Sequence, residues 1–163
     1  MKKTLLIMVF FAVANVLHSQ NTVKSIGLRG GYAYINGPLV EATLQLEYKF
    51  LKRFELDMGM TFNRTYIKSG VCLMHQWRFI LGKSWSWYLG GGFSFGYWDY
   101  SIGYHDFEDD GFFIGFAPNI GIEYLLPKDR FKLSLDIRPE LGLYNNPGED
   151  FSPQAALSLR YNF

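Results

Sequence analysis

Apolar and polar residues alternate with a period of two along residues 131–143, FKLSLDIRPELGL. Successive side chains of a β-strand point to opposite faces, so this period predicts a strand with one apolar and one charged face. Pro139 falls on the apolar face. The same alternation recurs in seven other segments, and it limits the choice of folds more than any other feature of the chain.

The predicted strands are separated by short links at one end and mostly longer links at the other. Short links are predicted at residues 51–53, 82–84 and 127–130, and the opposite links at 36–38, 64–70, 99–111 and 144–154. No helical period occurs between the strands. This arrangement of an even number of strands is typical of a transmembrane β-barrel. The eight predicted strands lie near residues 26–34, 40–50, 54–63, 71–81, 85–98, 112–126, 131–143 and 155–163.

The first twenty residues, MKKTLLIMVFFAVANVLHSQ, have two lysines, an apolar run and then small and polar residues. This order is typical of a secretory signal peptide, and the apolar run is short for a membrane helix. We expect a signal peptide at 1–19, cleavage before Gln20 and one barrel domain at 20–163.

A single cysteine, Cys72, excludes an internal disulfide, and a net charge of +1 argues against nucleic-acid binding.

Alternation alone leaves open which face of the barrel is inside. In a soluble lipocalin-like barrel the apolar face would line a ligand cavity, whereas in a membrane barrel the charged face lies inside. The charged face mixes both signs, and buried charges must be paired. We therefore expect a filled, ion-paired lumen, with Lys49 opposite Glu55. The charged residues on this face are Arg29, Glu41, Glu47, Lys49, Glu55, Asp57, Arg78, Glu123, Lys132, Asp136, Arg138, Glu140 and Arg160.

Aromatic residues of the apolar face cluster beside the short links, where a membrane interface would place them. They are Phe50, Phe54, Phe79, Trp85, Trp87, Tyr124, Phe131, Tyr161 and Phe163. The last strand carries apolar residues at every second position and ends on phenylalanine, at Leu157, Leu159, Tyr161 and Phe163.

This ending resembles the final strand of Gram-negative outer-membrane proteins, which the insertion machinery reads as an assembly signal. The whole pattern resembles the small OmpA and OmpX type of barrel. The resemblance implies an all-β, eight-stranded antiparallel up-and-down transmembrane β-barrel in the outer membrane. It further implies a monomer whose partners are outer-membrane lipids and the assembly machinery. It carries no functional motif, and a fold does not determine a function.

An eight-stranded barrel has room for its own side chains and little else, so we predict a non-conducting lumen rather than a channel. We interpret the protein as an envelope structural or surface-interaction protein that contacts an extracellular ligand through loops 99–111 and 144–154. We expect no metal and no cofactor. The carboxylates of one loop are an alternative calcium site, although their spacing matches no calcium loop. They are Asp99, Asp106, Glu108, Asp109 and Asp110.

Lipid A modification is the alternative enzymatic function. The His-x-Ser-Asn motif of the barrel deacylases is missing, because His75 is followed by Gln76 and Trp77. His75 also falls on the apolar face of the fourth strand, which suggests a bulge there. Ser101, His105 and Asp106 share one loop, but nothing fixes their geometry.

Two prolines give a second argument about enzymatic function. If the turn at 127–130 is symmetric, paired residue numbers add to 257 and Pro118 lies opposite Pro139. Proline donates no ladder hydrogen bond, so the facing pair would weaken the wall locally. A proline-marked gap between the same strands admits lipid in the barrel palmitoyltransferase, which the sequence resembles here. The charged lumen would obstruct an acyl chain, so we predict no catalytic residues and no enzyme.

Overall fold

In the computed structural model, which describes residues 22–100, 110–127, 130–147 and 150–163, the alternating segments form ten β-strands. Within these ranges, no helix is long and apolar enough to cross a membrane. The strands are β1 (Thr22–Ala33), β2 (Gly37–Lys49), β3 (Lys52–Phe62), β4 (Ile67–Ile80), β5 (Trp85–Asp99), β6 (Asp110–Leu125), β7 (Phe131–Ile137), β8 (Glu140–Tyr144), β9 (Phe151–Ser152) and β10 (Gln154–Asn162).

The strands close into a barrel because each pairs with its neighbour and β1 pairs with β10. All of these pairings are antiparallel. The seventh barrel strand is interrupted at Arg138 and Pro139, which separate β7 from β8. The eighth is interrupted at Pro153, which separates β9 from β10. Counting each interrupted pair as one, the wall has eight barrel strands. The predicted all-β, eight-stranded antiparallel barrel is confirmed.

The two faces of every barrel strand differ in polarity, as β7 illustrates. Leu133, Leu135 and Ile137 point outward and are 44%, 51% and 55% exposed, whereas Lys132 and Asp136 are buried inside. A protein surrounded by water would hide its leucines, so an apolar exterior around a charged interior fits a lipid surrounding. The closed sheet supports this reversal, because strands that pair around the whole barrel leave no open sheet edge.

Aromatic side chains form a belt on the outer surface beside the short turns. Phe79 stacks on Trp87 with ring centroids 4.3 Å apart, and Trp85 lies 4.7 Å from Tyr124. The ring of Tyr161 contacts the ring of Phe131 at 5.5 Å. Amphipathic rings are enriched at this level in membrane barrels, between hydrocarbon and headgroups.

The fourth barrel strand has no bulge at His75. β4 pairs residue by residue with β3 and β5 on both sides of this position. His75 therefore points outward, where its Nε2 lies 2.7 Å from the Tyr48 hydroxyl and its ring packs 4.4 Å from that of Trp77. The expected irregularity was wrong, because a hydrogen-bonded histidine is accommodated within the aromatic belt without a change of register.

Candidate functional site

The lumen contains a continuous central layer of ion pairs that joins strands from opposite sides of the barrel. Arg29 donates to Asp136 at 2.6 Å and to Glu41 at 2.5 Å. Arg138 donates to the same Glu41 at 2.5 Å and to Asp57 at 2.6 Å. Both guanidiniums are bridged by one carboxylate, so the five side chains act as one unit. Such charge-assisted hydrogen bonds satisfy charges that burial would otherwise destabilise.

A turn-side layer lies between the central layer and the short turns. Arg160 bonds Glu55 at 3.0 Å, and Arg53 bonds Glu123 at 2.8 Å. Lys132 lies 3.8 Å from the same Glu123. Neutral polar groups connect these ion pairs across the lumen: Gln45 donates to Glu55 and accepts from Lys132 at 2.8 Å, Gln76 accepts from Arg53 at 2.6 Å, and Ser134 accepts from Arg160 at 2.5 Å.

One glycine makes room for the only large aromatic ring of this layer in the described chain. The Tyr88 side chain is fully buried inside, and the Arg53 guanidinium lies 4.7 Å from its ring centroid. A Cβ atom on Gly121 would lie 2.5 Å from the Tyr88 ring. Only glycine leaves enough space there, and the ring then fills lumen volume that water would otherwise occupy.

A loop-side layer completes the polar interior. Lys68 donates to Glu140 at 2.6 Å and to Asn146 at 2.7 Å. Gln154 donates to Glu140 at 3.2 Å and also accepts from Arg138, which links this layer to the central one.

The three layers balance their charges. Six cations (Arg29, Arg53, Lys68, Lys132, Arg138 and Arg160) face six carboxylates (Glu41, Glu55, Asp57, Glu123, Asp136 and Glu140). Glu47 and Arg78 pair at 2.9 Å farther towards the turns, where both are about one-fifth exposed. Most of the charged residues selected from the sequence therefore lie in this interior.

Lys49 is an exception, and its predicted position was wrong. Lys49 is exposed and pairs in register with Lys52, whereas Glu55 lies opposite Gln45. The turn is centred on Phe50 and Leu51 rather than on 51–53, and a register shift between Glu47 and Lys49 precedes it. An earlier turn moves Lys49 out of the lumen.

Two lumen cations, Arg53 and Lys68, are not among the predicted lumen residues. The sequence predicts a turn at Arg53 and a loop at Lys68, whereas both residues lie within strands and are buried. The alternation of the strands could have identified both cations, because residues an even number of positions apart share a face. Arg53 is two positions before Glu55, and Lys68 is eight positions before Gln76, so each falls on the inward face.

Hydrogen bonds also close the loop end of the barrel. The Tyr66 hydroxyl donates to Asn36 at 2.5 Å, and Asn36 donates to Ser152 at 3.2 Å. The Trp98 indole donates to the Asn145 carbonyl at 2.8 Å. Burial raises the pKa of the Tyr66 phenol to about 12, so this donor keeps its proton into the alkaline range. The contacts tie three inter-strand connections over the lumen.

The free space inside the barrel differs greatly between its ends. Near Glu140 and Arg138 a cavity of about 40 Å³ remains, which holds no more than a few water molecules. At the short-turn end lies an open depression of about 460 Å³, whose lining includes Lys132 and Glu123. We call this depression the turn-side vestibule.

The wall is interrupted where the two prolines lie. β6 pairs with β7 up to Ile120 opposite Ile137 and with β8 from Phe116 opposite Leu141, and the paired numbers that border the interval add to 257 on each side. Pro118 and Pro139 occupy the unpaired interval between them. The amide of Arg138 donates instead to the Gln154 carbonyl at 2.9 Å, on the other side of its strand.

The remaining candidate residues concern a metal site, loop 99–111 and the last strand. There, no cluster of three or more histidines, cysteines, aspartates and glutamates is arranged to hold a metal ion. Ser101, His105, Asp106, Glu108 and Asp109 lie outside the described residues, as does segment 1–19. Leu157, Leu159 and Tyr161 are exposed on the outer face of β10, and Phe163, which directly follows this strand, is also exposed.

A closed antiparallel wall, an apolar exterior with an aromatic belt and a charged lumen define the architecture of the small eight-stranded outer-membrane barrels. Solved structures have the same fold. The N-terminal β-barrel domain of Pseudomonas aeruginosa OprF matches with a TM-score of 0.69 and 14% identity over 86% of this chain and 98% of that chain.

Two further structures extend the comparison. Neisserial surface protein A (NspA) matches with a TM-score of 0.63 and 15% identity, covering 85% of this chain and 95% of that chain. Ail, the attachment invasion locus protein of Yersinia pestis, matches with a TM-score of 0.57 and 12% identity, covering 86% of this chain and 95% of that chain. No protein-family model matches the chain, and no curated protein matches it in sequence. At these identities the likeness shows the fold.

Proposed function

We propose that the protein is an integral outer-membrane barrel with a non-conducting lumen that acts as an envelope structural or surface-interaction protein. Export by the signal peptide at 1–19 and assembly through the outward face of the last strand, ending at Phe163, are part of this proposal. The apolar exterior and the outer-membrane origin of proteins with this fold support it. The partners are outer-membrane lipids and the assembly machinery, and the barrel is a monomer.

The proposal of a non-conducting lumen rests on the stack of three charged layers. Arg29 and Arg138 join carboxylates from several strands across the centre, so an ion would have to displace bonded side chains to pass. Small barrels are filled in this way, whereas porins with more strands enclose water. The cavity of about 40 Å³ at Arg138 and the turn-side vestibule share no lining residue.

Conductance measurements test the closed lumen. Purified protein inserted into planar bilayers is expected to give no stepwise current, because the ion pairs block the axis of the barrel. A porin inserted under the same conditions checks that the bilayer and electrodes report channels. Steady currents of constant unit size from this protein would contradict the proposal.

Contact with other molecules is proposed for the loops. The names of two neighbours describe a surface protein and an attachment and invasion protein, and these names support a surface role for this fold. A structure of Ail holds a heparin analogue, sucrose octasulfate. Loop 99–111 of this chain carries five carboxylates and no lysine or arginine, so we expect no such polyanion to bind it.

Cell fractionation tests the location. We expect the protein in the outer-membrane fraction, migrating faster on gels when left unheated, because a closed barrel resists unfolding by detergent. A soluble lipocalin-like barrel would instead be recovered in the periplasm or medium, and such a result would reject the membrane proposal.

The acyltransferase alternative draws on the unpaired interval at Pro118 and Pro139. Immediately inside this interval, buried Arg138 and Glu140 are held by ion pairs, and the space beyond measures about 40 Å³. An acyl chain would need more apolar volume, so the interval supports a local bend better than a lipid entrance. Incubation with lipid A and phospholipid, followed by mass spectrometry, is expected to detect no transfer or loss of an acyl chain.

A further inference from the structure

The turn-side vestibule has an unbalanced charge. Its wall includes four cationic side chains, Lys24, Arg78, Lys83 and Lys132, but only two side-chain carboxylates, Glu47 and Glu123. Both carboxylates are already engaged by cations: Glu47 pairs with Arg78 at 2.9 Å and Glu123 with Arg53 at 2.8 Å. A concave surface with excess charge of one sign concentrates ions of the opposite sign.

Two of these cations have no anionic partner in the part of the chain that the structure describes. No carboxylate there lies within ion-pair distance of Lys24 or Lys83, although both line the same depression. They come from opposite regions of the turn end, since Lys24 lies on β1 and Lys83 in the turn between β4 and β5. Two lysines that line one open depression provide donors to a shared anion.

The inner wall of the vestibule is fixed rather than adaptable. Glu123 also accepts from Ser86 at 3.0 Å, and Arg78 is held by Glu47, so the Arg78 side chain is positioned before any ligand binds. A preorganised guanidinium that shares one depression with two lysines suits a group with several oxygen acceptors in a small volume. Phosphate has this geometry and charge.

We propose that the turn-side vestibule is a phosphate-binding site, in which Lys24 and Lys83 hold a phosphate group against Arg78. The group belongs either to a lipid headgroup or to a small soluble phosphate ester. The apolar side chains at its rim, Ile80, Trp85 and Phe163, continue the lipid-facing surface and would accompany a lipid. The site lies at the end of the barrel opposite the loops and is independent of their function.

The soluble arm of the test uses the refolded full-length barrel in maltoside micelles, which contain no phosphate. Titration calorimetry with inorganic phosphate and with glycerol 3-phosphate is expected to give saturable binding that weakens as salt is added. Lys24→Gln and Lys83→Gln should each weaken binding by about tenfold, since each removes a charge-assisted hydrogen bond.

The lipid arm uses native mass spectrometry of the same protein with phosphatidylglycerol added to the micelles. We expect one lipid to be retained by the unmodified protein and lost from the Lys24→Gln/Lys83→Gln double variant. Lys52→Gln is the matched control, because Lys52 is an exposed lysine at the same end that does not line the vestibule. Heat-modifiable mobility checks that each variant is folded.

The two arms distinguish the sources of the phosphate group. Binding in the calorimeter alone identifies a soluble phosphate ester, and retention of lipid alone identifies a headgroup. The proposal is overturned if neither probe binds the unmodified protein, or if the control variant loses binding to the same extent as the double variant.

Discussion

Replacement of Arg138 by methionine is expected to destabilise the barrel by about 3–5 kcal/mol, the cost typical of removing one partner from a buried ion-pair network. Arg138 is buried and donates to Asp57 at 2.6 Å and to Glu41 at 2.5 Å. Without it, two carboxylates remain inside the lumen with only Arg29 beside them. Methionine keeps much of the side-chain volume, so the loss reports mainly the missing charge and hydrogen bonds.

The free energy of unfolding is measured by urea titration of tryptophan fluorescence after refolding into phosphatidylcholine vesicles. Arg64→Gln serves as the control, because Arg64 is exposed outside the strands and a surface change of this kind stays within about 0.5 kcal/mol. Equal stability of the two variants would contradict the assignment of Arg138 to a buried network.

A double-mutant cycle identifies the source of the loss. Asp57 accepts from Arg138, and its other oxygen has no hydrogen-bond partner in the described structure. Adding Asp57→Asn to Arg138→Met removes the carboxylate that the first change left unpaired. We expect the double variant to lose less stability than the sum of the two single losses, by about 0.5–3 kcal/mol. Additive losses would mean that the two side chains do not interact.

The period of two allowed the direction of side chains to be predicted along most of the wall. It separates Leu133 and Leu135 from Lys132 and Asp136, and the structure has the first pair outside and the second inside. This prediction works because only alternate residues of a strand share a face. The same period, combined with a symmetric turn, predicted the register on either side of Pro118 and Pro139.

The two-residue period could not predict the residue at which a strand ends and its turn begins. Lys49 and Arg53 lie on opposite sides of the turn at Phe50 and Leu51, and a shift of that turn exchanged their environments. Leu51 has a positive φ of 65°, a conformation that a branched apolar side chain rarely signals in sequence. A conventional glycine or asparagine at this position would have made the turn easier to locate.

Which carboxylate each arginine contacts also lay beyond the sequence. Arg29 and Asp136 are 107 residues apart, and their contact depends on how the strands tilt and stagger around the closed barrel. The alternation along each strand shows that both side chains point inward, but it does not show how far along the barrel axis each one lies. The turn-side vestibule and the stacked layers arise from these heights, so they required the three-dimensional structure.

Replacement of Leu135 by arginine is expected to cost about 2–4 kcal/mol, the range for a cation on the lipid face near the middle of a membrane barrel. Leu135 points outward from β7 between Ile122 and Leu157 on the adjacent strands. Leu81→Arg is the depth-matched control, because Leu81 is also an exposed leucine but follows β4 at the short-turn end. There the arginine reaches the headgroups, and the cost falls to about 0–1 kcal/mol.

This pair of variants measures which solvent surrounds the wall. Leu135 is 51% and Leu81 61% exposed, so in water both substitutions would be nearly neutral and similar. In lipid they must differ, because only the central position places the charge in hydrocarbon. Unfolding titrations in phosphatidylcholine vesicles give both free energies under identical conditions. Equal, small losses would mean that the apolar face meets water, and the outer-membrane proposal would then have to be abandoned in favour of a soluble barrel.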